Sequence, residues 1–565
     1  MHIQSKFGIA VKIKEIIMKK KRNQIVAIVC AFVIALSCMS FVSCGEDTQN
    51  QVDKSKAQLH VSNYDGGVGH DWLDAHIARF EEAYKDYEFI PGKKGVQVWV
   101  TNHKNSMAAI SGKLNGAIED VYFLEHVNYY DMISQGNFMD ITDLVATETL
   151  SEYGENVTIE TKLHNKVKEY LKTSDGKYYA LPHTQSPTLI TYDADLFNRL
   201  NLYFDENGVI GKKSTDSGLS KGVDGVSGTY DDGLPATYEE FYALCAKMKQ
   251  RGVAPMIWSG MYDFYMTRFS KQLRVDFEGA EQAMTAYDFN GTMTHIVDTI
   301  DDNGNITYKP AMNVTEENGY EMLSSAGYYY AFKFFEGIVD GEYYSNKAFN
   351  DSVSHEDAQE TFLLSSFEAT EQDIGMLVEG LYWVNEAKGF FKAMEAYPNA
   401  SLKDRNLKVM PLPKATKEQI GQKTTLVDSL NQLAFISAYV PEERIELAKT
   451  FLKFCSTQAS LEEFVVETGL TRNYRTSYDA IYDTLTPYSQ SVVDVLGTSD
   501  YILPASSSPI FQKNFAQFYQ DYEMGTSAFP DPMVAIKNDN KTAIQLFNEF
   551  RMKFNEKSWA QLLQN

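Results

Sequence analysis

Two aromatic side chains, Tyr382 and Trp383, follow Gly380 almost at once in the run MLVEGLYWVNEA. Flat rings delivered by a strand end beside a glycine are placed to stack on the C–H face of a ligand ring, while carboxylates and amides take its hydroxyls. The same holds for Trp258, which closes APMIW before Ser259 and Gly260, with Tyr262 and Asp263 just after it. The chain carries 35 Tyr, 33 Phe and 5 Trp, more rings than a core of this size demands. Any single ring is better explained as core. Their coincidence at strand ends, where α/β lobes bind ligands, carries the reading.

A second cluster is acidic. Asp224, Asp231 and Asp232 in DGVSGTYDDG are spaced as a calcium-binding turn would use them, oxygen ligands on a glycine-permitted turn. The segment lacks EF-hand spacing, and the simpler reading is a solvated acidic loop; any calcium there would be structural, and no other cofactor is expected. Catalytic motifs are absent: there is no G-x-S-x-G, no P-loop, no H-E-x-x-H and no paired C-x-x-C. Glycoside hydrolysis needs only two carboxylates facing across a cleft, and no such pair stands out among the acids. The chain is therefore read as a binding protein, not an enzyme.

The elements that must position these residues alternate. QLHVSNYDGGVGHDWLDAHIARFEEAYKD gives a strand, a turn with Gly66, Gly67 and Gly69, and a helix with Leu73, Ile77, Phe80 and Tyr84 on one face. GVQVWV and DVYFL read as further strands, and two strand-like runs flank Pro182 and Pro187. In LPATYEEFYALCAKMKQRG, Thr237 and Glu240 form a capping box, Phe241, Leu244, Cys245 and Met248 the apolar face, and Gly252 the stop. Pro441 starts a helix with Ile445, Ala448, Leu452 and Cys455 on its face. Two hydrophilic insertions, about 205–233 and about 298–319, belong on the surface, and DDNGNITY in the second reads as a hairpin turn. Strands alternating with helices predict an α/β chain with mainly parallel sheets.

At 565 residues more than one lobe is expected. MKKKRNQIVAIVCAFVIALSCMSFVSC, from Met18, has the cationic start, apolar run and small-residue end of a secretory signal, and residues 1–17 precede a complete signal, so the true start is expected at Met18. An uncleaved anchor is the alternative, since an apolar stretch of about 19 residues just spans a bilayer. Beyond the signal only Cys44, Cys245 and Cys455 remain, the last two within helical patterns, so buried thiols rather than disulfides are expected. The chain has 52 Lys and Arg and 76 Asp and Glu; residues 1–43 hold seven and one of these, leaving 45 against 75, a net charge of −30. That excess argues against nucleic acid and against direct adhesion to anionic lipid.

Taken in order, these phrases resemble the extracytoplasmic solute-binding proteins of ABC transporters, specifically the carbohydrate-binding group related to maltose-binding protein. The resemblance runs through QLHVSNYDGGVGHDWLDAHIARFEEAY, EDVYFLEHVNYYDMISQGNFMDITDLV, GKYYALPHTQSPTLITYDADLFN, LPATYEEFYALCAKMKQRGVAPMIWSG and GMLVEGLYWVNEA with LKVMPLPKA. It implies a two-lobed, type II periplasmic-binding-protein-like α/β fold with a ligand cleft between lobes joined by crossover strands. It implies a signal over 1–43, a tether over 44–57, a first lobe of 58–184 plus 424–502 and a second of 185–423 plus 503–565, with crossings near Pro182–Pro187, Gln422–Leu430 and Pro504. FVSC resembles a lipoprotein signal box, which makes Cys44 the lipidated residue, with Cys38 a rival. The ligand contacts it implies are Gly66, Gly67, Glu125, Asn128, Gln185, Ser186, Trp258, Tyr262, Asp263, Tyr382 and Trp383, with Asn431 and Arg472 behind them. Implied partners are a sugar or oligosaccharide, the permease subunits of an ABC importer and, through the lipid, the membrane of a Gram-positive cell surface, for a monomer that binds no nucleic acid. Leu124 stands where relatives place an aromatic, so maltose itself is not implied. Two other classes stay open, a binding protein for a peptide or polyamine and a surface lipoprotein that binds or hydrolyses glycans.

Overall fold

The computed structural model describes residues 52–104, 107–125, 127–367, 372–428, 432–503 and 531–564. The chain divides into two units, Met1–Lys56 and Ala57–Asn565. The signal segment, Cys38, Cys44, most of the tether and Asn431 lie outside the described residues, and the account below concerns the second unit. Among the described residues no helix is long and apolar enough to cross a membrane.

Its main strands, in chain order, are β1 (Ala57–Tyr64), β2 (Val96–His103), β3 (Val121–Leu124), β4 (Ala180–Pro182), β5 (Thr188–Asp193), β6 (Ala254–Ile257), β7 (Ile374–Gly380), β8 (Leu407–Met410), β9 (Thr425–Val427), β10 (Leu433–Ile436) and β11 (Asp500–Ile502). The helices used below are α1 (Asp71–Ala83), α2 (Tyr238–Gln250), α3 (Phe264–Asp288), α4 (Ala326–Asp340), α5 (His355–Ser365), α6 (Ile445–Cys455) and α7 (Gln458–Thr468). The first sheet has the order β2-β1-β3-β10-β4, with β1 parallel to β2 and β3, and β10 antiparallel to β3 and β4. The second has the order β6-β7-β5-β8, with β6 parallel to β7, and β5 antiparallel to β7 and β8. The chain leaves the first sheet after Pro182, enters the second at Thr188, and returns to the first at Leu433. A separate parallel pair joins β9 to β11.

Local chemistry accounts for most elements. In α2, Thr237 Oγ1 accepts the Glu240 amide at 3.3 Å, and Phe241, Leu244, Cys245 and Met248 are buried. The reciprocal arm differs from a simple box: Glu240 Oε2 accepts the amide of Ala236, one residue before the cap, at 2.7 Å. The hairpin expected at DDNGNITY pairs Val297–Ile300 with Ile306–Tyr308, and its turn is closed by Asp301 Oδ1, which accepts the amides of Asn303 and Asn305. Cys245 and Cys455 are free and buried, as their helical settings imply. All seven residues of β7 are buried, the pattern of a strand covered on both faces.

Helix α3 is buried nearly all round and bends at Gly279. Its polar side chains serve as backbone partners. Gln272 takes the Val427 amide on Oε1 at 2.7 Å and donates Nε2 to the Val427 carbonyl at 3.0 Å, completing the edge of β9. Asp276 Oδ1 accepts the Thr425 amide at 3.0 Å and Lys414 Nζ at 2.8 Å. Both members of that ion pair are almost wholly buried. Removing one partner of such a pair leaves a charge uncompensated in a dry site, at a cost of about 3–5 kcal/mol. Lys414→Met is therefore expected to lower the thermal unfolding midpoint, and Asp276→Leu in the same chain to recover much of the loss; an unchanged midpoint in the single variant would deny the pair any structural weight.

Candidate functional site

Strand β7 runs apolar from Ile374 to Val378 and then places Glu379 at 2% exposure before Gly380. The next residues reverse the chain, and a short helix over Trp383–Glu386 follows. The Tyr382 ring folds back over Gly380, where any side chain would meet it at 2.6 Å. Against the same ring stands Gly67, from the loop after β1, at φ +58°; a side chain there would come within 3.3 Å of Tyr382 Cγ and 3.3 Å of Glu125 Oε1. The two sheets thus meet along a seam: Gly67 and Glu125 from the strand ends of the first, Tyr382 from the second. Two further contacts run along it, Lys388 Nζ to Asp71 Oδ2 at 2.8 Å and Asn385 Nδ2 to the Thr468 carbonyl at 2.8 Å.

Of the residues expected to face a ligand, the structure brings together Gly67, Glu125 and Tyr382. Gly66 lies in the same loop, against the Tyr64 ring. Tyr262 is 37% exposed, its ring 5.6 Å from that of His355 on α5. At the crossover, the buried Gln185 is held by Thr471, whose Oγ1 donates to Gln185 Oε1 at 3.2 Å, and the Ser186 hydroxyl is buried without a protein partner. Asn128 is exposed ahead of the short helix Tyr129–Ser134, and Asp263 is exposed at the start of α3.

Four expectations need correction. Trp383 is a core residue: it is fully buried, its Nε1 donates to Thr191 Oγ1 at 3.1 Å, and Phe362, Phe391 and Tyr488 surround it. Consecutive residues entering a helix point to different sides, so the turn that presents Tyr382 to the seam turns Trp383 into the lobe. Trp258 is likewise 3% exposed, edge-on to Phe349. Arg472 is buried over the faces of Trp72 and Phe464 and donates to the Cys455 carbonyl, a cation packed inside the first lobe. The acidic loop uses its carboxylates on itself: Asp231 Oδ2 accepts the amides of Val223 and Asp224, Asp224 Oδ1 that of Val226, and Asp232 Oδ2 that of Gly228. No group of three His, Cys, Asp or Glu side chains among the described residues is placed to hold a metal.

Residues 76–486 match the family described as bacterial extracellular solute-binding protein. The chain belongs to this family. No curated relative matches the sequence. Among solved structures, it is similar to the BlMnBP1 binding protein of an ABC transporter from Bifidobacterium animalis subsp. lactis, determined with mannobiose, at 15% identity over 90% of this chain and 95% of that one, with a TM-score of 0.52. It is also similar to apo RafE from Streptococcus pneumoniae, at 14% identity over 89% and 99% with a TM-score of 0.53. A chitin oligosaccharide binding protein gives 13% identity over 90% and 100% with a TM-score of 0.52. The expected two-lobed solute-binding fold is thereby borne out, and the family is extracytoplasmic.

Sequence reasoning missed much of what this solute-binding protein gathers at its seam. Glu386 Oε2 accepts Gln359 Nε2 at 3.0 Å and lies 3.9 Å from His355 Nε2. Glu125 Oε1 accepts Gln432 Nε2 at 2.8 Å, and Arg268 on α3 lies over the Phe264 ring. Tyr265, also on α3, is buried beside Glu379 and Tyr382. One signal was readable: a lone carboxylate, Glu379, inside an apolar run. The helix residues carry no pattern that separates them from surface polar groups.

One trio elsewhere has catalytic spacing. Cys455 Sγ lies 3.1 Å from His76 Nε2, and His76 Nδ1 2.9 Å from Glu463 Oε2. Burial pushes the thiol up to about 12 and the imidazole down to about 4. An activated nucleophile needs the reverse shift of the thiol. The trio is packing between α1, α6 and α7.

At the seam, burial pushes the Glu125 carboxyl up to about 8, with Glu386 adding to the rise and Arg268 opposing it. A carboxyl whose folded value is raised adds stability that is fully present below its ordinary value and lost as pH rises through the folded one. The unfolding midpoint of the wild type is therefore expected to fall more steeply between about pH 5 and about pH 8 than that of Glu125→Gln, whose amide does not titrate. Parallel profiles would put this carboxylate in water.

Proposed function

We propose that the chain captures a sugar or oligosaccharide by closing its two lobes on it and hands it to the permease of an ABC importer. The observation that carries this is the seam, where a partly buried tyrosine ring and carboxylates from both sheets converge on a glycine loop. A ring face with acceptors around it suits a pyranose. Support also comes from relatives whose structures are described with mannobiose, with raffinose and as a chitin oligosaccharide binding protein. A ligand contacting both lobes draws them together by its extra affinity for the closed form. No bond is made or broken in this reading.

The protein is further proposed to be a monomer anchored by lipid on Cys44 at a Gram-positive surface. The small-residue box before Cys44, the hydrophilic stretch after it and the strongly acidic body favour this, as does likeness to a probable secreted solute-binding lipoprotein from Streptomyces coelicolor. Two acyl chains hold a protein stably where one is marginal. A second reading, a binding protein for a polyamine, is favoured by the carboxylates at the seam.

Calorimetry of the full chain in detergent against a broad glycan panel is expected to find a saccharide ligand, and silence across the panel would end the carbohydrate reading. Tyr382→Ala should weaken that ligand at least tenfold, equivalent to about 1.4 kcal/mol. Trp383→Ala should instead cost stability, about 3–5 kcal/mol; equal affinity loss without destabilisation would return Trp383 to the cleft. Cys44→Ala should release the protein or block its processing, and lipid labelling that persists at Cys38 would move the anchor.

A further inference from the structure

The seam is chemically lopsided. Among the described residues, Glu125 from the first lobe and Glu379 and Glu386 from the second gather with the Arg268 guanidinium and the His355 imidazole. Glu379 and Gln359 are 2% and 0% exposed, and each has one buried oxygen, Glu379 Oε2 and Gln359 Oε1, without a close hydrogen-bond partner, though the Tyr265 hydroxyl and the Gln359 amide stand near the Glu379 carboxyl. Gln432 Oε1, beside Glu125, is a third. These are acceptors short of close donors, set among carboxyl groups.

A hydroxyl supplies one donor and brings two lone pairs, which then face the carboxylates. An ammonium supplies three N–H donors and no lone pair, and its charge strengthens each bond to a carboxylate. A ring such as Tyr382 attracts a cation on its face as well. We propose that the ligand of this seam is a saccharide bearing a primary ammonium group, held between Glu379, Glu386 and Gln359 with Glu125 closing on it from the first lobe. The inference rests on the saccharide reading above and adds the amine.

The electrostatics agree with that geometry. Burial, then Glu386, pushes the Glu379 carboxyl well above its ordinary range, and burial likewise raises Glu386, with His355 and Gln359 holding it back. Without a cation the cluster reduces its repulsion by keeping protons; an ammonium replaces them, so binding releases protons to the buffer.

The test is calorimetry of the full chain in detergent, at about pH 7.5 in two buffers of different ionisation heat, with matched probes. These are glucosamine, galactosamine and mannosamine and their oligosaccharides, each beside its parent hydroxyl sugar and its N-acetylated form, together with spermidine. The expected result is at least a tenfold preference for the amine in the pairs that bind, with a buffer-dependent heat of proton release. Glu379→Gln and, separately, Glu386→Gln should each cut that preference to under threefold. Equal or tighter binding of the hydroxyl or N-acetyl partner overturns the amine and leaves the saccharide reading standing. Spermidine binding with no saccharide, or no binding by any saccharide, overturns both.

Discussion

Strand β10 lies between β3 and β4, yet the whole of the second sheet separates it from them in sequence. The first sheet cannot be completed until the chain has built the second and come back. Much else follows from this ordering. The connections run between the sheets, and the crossover is tied to the first lobe by backbone: the His183 amide donates to the Gln432 carbonyl beside the first sheet, and the Gln185 amide to the Thr471 carbonyl in the loop after α7.

The seam is where that topology becomes chemistry. Gly67 and Gly380 come from different sheets and share one neighbour, the Tyr382 ring; a side chain at Gly380 would collide with it, and one at Gly67 would be tight against it on a left-handed backbone. Around the ring stand carboxyl groups whose burial is costly unless they are protonated, paired or bound. A binding protein benefits from such a cost. In the proposed capture, a ligand supplying partners to these groups would gain differential affinity for the closed form. Helix α3 ties the arrangement to the fold, since it carries Tyr265 and Arg268 at the seam and Gln272 and Asp276 on the β9 edge.

How much of this was legible in the sequence varies with the kind of interaction. Helix α2, the hairpin at Asp301 and the buried thiols depend on neighbours within a few residues, and spacing exposed them. Even there, the second arm of the α2 cap went to Ala236 rather than Thr237, a choice made by local backbone geometry. Trp258 and Trp383 were read as cleft residues because they sit beside strand ends and glycines, and Arg472 on the family resemblance alone; each is interior. A one-dimensional pattern gives the neighbourhood of a turn and leaves open which side of it a side chain takes.

The sequence by itself determined the alternation of strands and helices, the apolar faces that pack them, the acidic surface and the turns that glycine permits, since these follow from residue type and short-range spacing. It also placed Tyr382 at a strand end. Tertiary structure alone decided that Tyr382 faces the seam while Trp383 enters the core. It alone set the buried Glu379 and the half-buried Glu125 and Glu386 in one group and turned the carboxylates of 224–232 onto their own loop. The reason is distance along the chain: Gly67, Glu125, Gln359 and Tyr382 become neighbours only when two sheets close on each other, and no local periodicity records that meeting.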